Sequence, residues 1–155
     1  MSADARLNEL NLELPPAPKP AGVYSLCVQT GSLLYASGHG PLNSDGSMMT
    51  GKVGDEIGEA HGKAAARQTG LAMLATLKSQ LGSLDKISRI VKVLGMVNAA
   101  PDFQNHPAVI NGFSELMVEI FGEDGRAARS AVGMGSLPSN ISVEIEAIFE
   151  LHADA

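Results

Sequence analysis

Val143-Glu144-Ile145-Glu146-Ala147-Ile148-Phe149-Glu150-Leu151 reads as a strand with two unlike sides. Successive side chains of an extended strand point to opposite faces, so Val143, Ile145, Ala147, Phe149 and Leu151 share one side. Ser142, Glu144, Glu146, Ile148 and Glu150 share the other. The first side is apolar throughout and needs a covering layer, which amphipathic helices supply in an α+β fold.

Just upstream, Arg129 to Met134 forms another strand, separated from the last by the turn-forming run Gly135-Ser136-Leu137-Pro138-Ser139-Asn140. Arg129, Ala131 and Gly133 fall on one side of it, and Ser130, Val132 and Met134 on the other. An antiparallel pairing of these two strands would put Arg129 and a glutamate on the same polar face.

Further back, Tyr24 to Gln29 and Leu33 to Ser37 flank Thr30-Gly31-Ser32 as a hairpin. Gly38 to Gly58 is a loop region with room for one short strand near Lys52-Val53. Ile57 to Leu81 is the longest predicted helix, with Ile57, Ala60, Ala64, Leu71, Leu74 and Leu81 near 3.6-residue spacing and Gly82-Ser83 ending it. Ile90 to Val97 is β-branched on both faces, as expected of a central, doubly covered strand. A second helix follows Asp102 or Asn105, tolerates Pro107 in its first turn, buries Val109, Phe113, Leu116, Met117 and Ile120, and closes at Gly122. The predicted order is β-β-(β)-α-β-α-β-β, a mixed sheet with two helices on one face. Residues 1–20, with Leu7, Leu10, Leu12 and Leu14 ahead of Pro15-Pro16-Ala17-Pro18-Lys19-Pro20, form an N-terminal arm and stiff connector. Residues 21–155 form a single domain.

Composition narrows the function classes. The 155 residues are 45% hydrophobic and 18% charged, which suits a folded core. No apolar run nears the roughly 20 residues that span a bilayer, and the polar start Met1 to Arg6 has no apolar block behind it. A cytoplasmic protein is therefore expected, with no membrane partner. A net charge of −6 without a cluster of Lys and Arg disfavours nucleic acid. Cys27 is alone, and His39, His61, His106 and His152 are too scattered for a zinc site, so no structural metal is expected.

The residues that could carry chemistry are few. Arg129 offers a planar fork of donors to a small carboxylate, and Glu144 could orient a water or move protons beside it. The plain alternative is a solvated sheet face with ordinary cross-strand ion pairs. His39 stands beside glycines but has no partner motif, and His61, His106 and His152 suit surface or capping roles. Cys27 has no activating neighbour and suits packing. Gly133-Met134-Gly135 lies between strands rather than before a helix, so it is no nucleotide loop.

Arg129-Ser130, Leu137-Pro138 and Val143-Glu144-Ile145-Glu146-Ala147, at this spacing, resemble the C-terminal signature of the RidA family, also written YjgF/YER057c/UK114 (endoribonuclease L-PSP-like). Gly22-Val23-Tyr24, Ser37-Gly38 with Pro41, and Asn111 extend the match over nearly the whole chain from Gly22 onward, in a divergent subgroup with a longer N-terminal arm. The resemblance implies a chorismate mutase-like fold and a homotrimer whose sheets pack as a central barrel with ligand clefts between subunits. It implies that Arg129 holds a substrate carboxylate, that Glu144 positions the attacking water, and that Tyr24, Ser37, His39, Asn111 and the backbone of Ala131 help to bind substrate. The implied activity is hydrolysis of 2-imino acids to 2-oxo acids and ammonia, with no cofactor. Two positions depart from the family pattern, His39 where glutamine is usual and Ala131 where cysteine is common. They leave open a small-carboxylate binding or regulatory protein without catalysis, and the family's L-PSP label adds an endoribonuclease reading, against which the acidic balance argues.

Overall fold

A computed structural model describes residues 1–154. Its elements in chain order are α1 (Ala3–Glu9), β1 (Cys27–Thr30), β2 (Leu33–His39), α2 (Glu59–Leu81), β3 (Ile87–Asn98), α3 (His106–Phe121), β4 (Ala128–Met134) and β5 (Val143–Leu151). The five strands form one mixed sheet in the order β1-β2-β5-β3-β4. The long helices α2 and α3 cover one face, and Val28, Tyr35 and Val132 stand exposed on the other.

β5 occupies the centre, pairing antiparallel with both β2 and β3. Its alternation explains the position: Val143, Ile145, Ala147, Phe149 and Leu151 are all buried under the helices. Each large side chain placed there contributes about 1.5–3 kcal/mol. β3, expected at the centre, is displaced by one place, and its outward residues Val91 and Lys92 are exposed.

The expected antiparallel pairing of β4 with β5 does not occur. β4 instead runs parallel to β3, with Val93 opposite Arg129 and Gly95 opposite Ala131, connected through α3. Small and polar side chains give β4 little to bury on both faces, so it sits at the sheet edge while the more apolar β5 takes the centre.

Three further expectations change. The short strand near Lys52-Val53 reduces to isolated bridges from Val53 to Ile57 and Ala99. Gly51 (φ 120°) and Gly54 (φ 91°) bracket it in conformations that L side chains avoid and that end an extended run. On α2 the buried face is Ala65, Ala66, Thr69, Met73, Leu74 and Leu77, and Ala60 and Ala64 are exposed. The N-terminal arm begins with a helix: Ser2 caps α1 by accepting the Ala5 N–H at 3.2 Å, and Ala3 and Leu7 join the core. Among the described residues no helix is long and apolar enough to cross a membrane.

Candidate functional site

Glu144 sits on the bare face of the sheet. Its carboxyl lies over Gly38 of β2, where any Cβ would run into it. That glycine therefore leaves the space the carboxyl occupies. Burial raises the Glu144 pKa above the ordinary carboxylate range, and Glu146, two residues along on the same face, pushes it the same way. An open hollow of about 570 Å³ surrounds the carboxyl, lined among others by Tyr24, Ser37, Gly38, Pro138 and Glu146. The Tyr24 hydroxyl accepts the Ala21 N–H at 3.1 Å, and Ser37 Oγ donates to the Ser25 carbonyl at 2.5 Å, so the segment carrying Tyr24 is tied back to β2.

Arg129 lies on the opposite face. It is in register with Val93 and Ala147, both buried beneath the helices, whereas Glu144 is in register with Met96 and Val132. The shared polar face expected from strand parity is therefore corrected: one chain holds the two residues back to back. Arg129 Nη1 donates to Asn111 Oδ1 at 2.8 Å and to Ser114 Oγ at 3.2 Å. A second hollow of about 540 Å³ opens there, bordered by Asn111, Ser114 and Arg129.

The charges around that hollow are mostly spoken for. Glu115 pairs with Lys63 at 3.1 Å, Glu119 with Arg67 at 3.0 Å and Arg126 with Glu123 at 3.1 Å. Arg129 has no carboxylate partner among the described residues, and its other guanidinium donors are free for a ligand. Ser114 was absent from the sequence reading, although it lies one turn from Asn111 on the same helix face.

His39 does not join either group. It is only 3% exposed and faces α2. Its Nδ1 lies 2.6 Å from the Ser37 carbonyl, which can only accept, so Nδ1 carries the proton and Nε2 accepts from Thr76 Oγ1 at 2.8 Å. Burial holds its pKa below the ordinary value. A bulge explains the placement: Ala36 pairs with Ala147 and His39 with Ile145, three residues of β2 against two of β5. The extra residue turns His39 inward. Ala131, half-buried between Arg129 and Gly133, shares the helix-facing side of β4.

Burial pushes the Cys27 thiol up to about 11, away from the thiolate form that a nucleophile needs. Among the described residues no group of three or more His, Cys, Asp or Glu could hold a metal ion.

A mixed sheet under two helices, with an arginine that has no carboxylate partner among the described residues on one face and a half-buried carboxyl of the central strand on the other, defines an α+β protein with two candidate sites. The family model described as "YjgF/chorismate mutase-like, putative endoribonuclease" matches residues 4–151, and the chain belongs to that family. It is 40% identical over 149 residues to protein TCP17 of Trypanosoma cruzi, covering 96% of this chain and 93% of that one. A 2-iminobutanoate/2-iminopropanoate deaminase of Dermatophagoides farinae is 35% identical over 138 residues, covering 88% and 92%. The crystal structure of Atu1372 from Agrobacterium tumefaciens, a protein of unknown function, superposes with a TM-score of 0.88 at 42% identity, covering 97% and 94%.

Proposed function

We propose that this protein hydrolyses 2-imino acids to 2-oxo acids and ammonia in a cleft completed between neighbouring copies of a homotrimer. The observation that carries the reading is Arg129: a guanidinium held by two neutral side chains, without a carboxylate partner, at the edge of an open hollow. A small carboxylate is the complement such a fork selects.

Two features support assembly. Glu144 and Arg129 occupy opposite faces of one sheet, so bringing both to one substrate requires two chains. The bare face also exposes Val28, Tyr35 and Val132, apolar surface that a second copy can cover. The β4 edge of one copy would then meet the Glu144 hollow of the next.

In that cleft Arg129 binds the substrate carboxylate and sets the protonated imine against a water. The water oxygen bonds to the imine carbon as the C=N π pair moves to nitrogen, and the Glu144 carboxylate accepts a proton from the water. Glu144 returns the proton to nitrogen, the C–N bond breaks, and the hydroxyl proton leaves with ammonia as the C=O forms. A raised pKa suits this exchange, because a carboxylate nearer neutrality accepts a proton more readily.

The test is the decay of 2-iminobutanoate or 2-iminopropanoate generated in situ. The protein should speed it, and Arg129→Ala should lower kcat/KM by about 10–100-fold, the loss of one or two charge-assisted hydrogen bonds. An uncatalysed decay rate, or an undiminished Arg129→Ala, would sink the reading.

A second reading has one observation in its favour: the Arg129 hollow can hold an acid without Glu144. Calorimetric binding of 2-oxobutanoate with no turnover would point to a carboxylate-binding regulatory protein. RNA cleavage is the weaker alternative at a net charge of −6.

A further inference from the structure

One wall of the Glu144 hollow has an unusual backbone. Pro138, Ser139 and Ile141 line it, and Ser139 (φ 54°) and Asn140 (φ 57°) are consecutive non-glycine residues in the left-handed region. L side chains disfavour that region, so such a corner persists where its surroundings hold it.

The hold comes from a residue outside the hollow. Asn98, at the end of β3, is 1% exposed. Its Nδ2 donates to Asn140 Oδ1 at 2.9 Å and to the Ile141 carbonyl at 3.1 Å. Its Oδ1 accepts from Lys52 Nζ at 2.9 Å, and the same ammonium donates to the Gly135 carbonyl at 2.7 Å, gripping the loop where it leaves β4. Glu56 completes the network, accepting from Asn140 Nδ2 at 3.3 Å and from the Lys52 N–H at 3.1 Å. The Asn140 carbonyl accepts the Gly51 N–H at 2.9 Å. Both hydrogens and the oxygen of the Asn98 amide are thus used, and a buried amide so satisfied fixes its partners more tightly than one left partly unpaired.

We infer that Asn98 is a positioning residue for the Glu144 hollow, clamping the Pro138–Asn140 corner in the left-handed shape that presents Ser139 and Ile141 to the substrate. The inference rests on the imine-hydrolase reading for its substrate and on the network alone for its geometry. Lys52 is the back of the clamp. Neither residue lines the hollow.

Asn98→Ala should raise KM for 2-iminobutanoate about tenfold while kcat stays within about twofold, since the reacting groups Arg129 and Glu144 are untouched. Adding Asn140→Gly should restore much of the KM, because glycine adopts the left-handed conformation without being held. A purely stabilising role would leave KM alone in the folded protein and would show no rescue by glycine. Should Asn98→Ala fail to fold, the pair Asn140→Ala and Asn140→Gly decides the matter. Both lose the same side-chain hydrogen bonds, and only the alanine variant should raise KM; equal KM values would overturn the inference. Backbone relaxation of the Ser139 amide by NMR gives a readout that needs no turnover. Its order parameter should fall from about 0.85 to below about 0.6 in Asn98→Ala. An unchanged value overturns the clamp, whereas wild-type protein that leaves the imine untouched overturns the hydrolase reading alone.

Discussion

A histidine buried beneath a helix is disposed to stay neutral, and His39, with Nδ1 at the Ser37 carbonyl and Nε2 at the Thr76 hydroxyl, is in that position. Burial is the larger influence on it and lowers its pKa, while the Ser37 carbonyl works the other way. In the unfolded chain it titrates near its ordinary 6.5. Between the two values the unfolded state binds the proton, so the stability that neutral His39 contributes is complete above about pH 6.5 and is lost as the pH falls through the folded value. The denaturation midpoint, measured at fixed protein concentration, should drop from pH 7.5 to pH 5, and His39→Gln should flatten that drop. An equal slope in the variant would show that another group is responsible. Strand parity places His39 beside Tyr35 and Ser37, and the bulge at residues 37 and 38 reverses it. No residue type announces that extra residue, so the direction of His39 was not legible in the sequence; Tyr24, Ser37 and Glu144 line one hollow, and only the family resemblance implied a cleft for them.

Among the elements, β5 was readable as a strand with one covered face, because five apolar side chains share that face, while its central place was not, since Ile90 to Val97 looked the more central. Pairing was less readable. Alternation says which residues of β4 share a side, and it is equally satisfied by a parallel neighbour as by an antiparallel one, so Arg129 could not be assigned a face without the sheet order. The first helix was hidden for a different reason: seven residues carry too few turns to show a period, and the proline run that follows draws attention to a linker. Its contacts are those of a core element. Leu7 is 4% exposed, Arg6 Nε donates to the Glu119 carbonyl at 2.9 Å at the far end of α3, and Lys78 pairs with Asp4 at 3.3 Å. Leu7→Ala should therefore lower stability by about 2–5 kcal/mol, the range for a buried leucine, as read from urea denaturation. A loss below about 0.5 kcal/mol would return this segment to the status of a loose arm.

At the scale of the whole molecule the sheet is half-covered: helices lie on one side, Val28, Tyr35 and Val132 are exposed on the other, and Arg129 and Glu144 point away from each other. If neighbouring copies complete each cleft, inactivity becomes a property of combinations rather than of chains. Arg129→Ala, at about a tenth or less of the wild-type kcat/KM, and Glu144→Gln would each be impaired alone. Unfolded together in equal amounts and refolded, they should recover about a quarter of the wild-type rate, since one random interface in four joins an intact arginine to an intact glutamate. No recovery from a mixture that refolds would overturn the shared cleft. In genetic terms, if copies share the cleft, the back-to-back placement of Arg129 and Glu144 would make two damaging alleles complementary: a cell carrying both would keep more activity than either gene gives by itself.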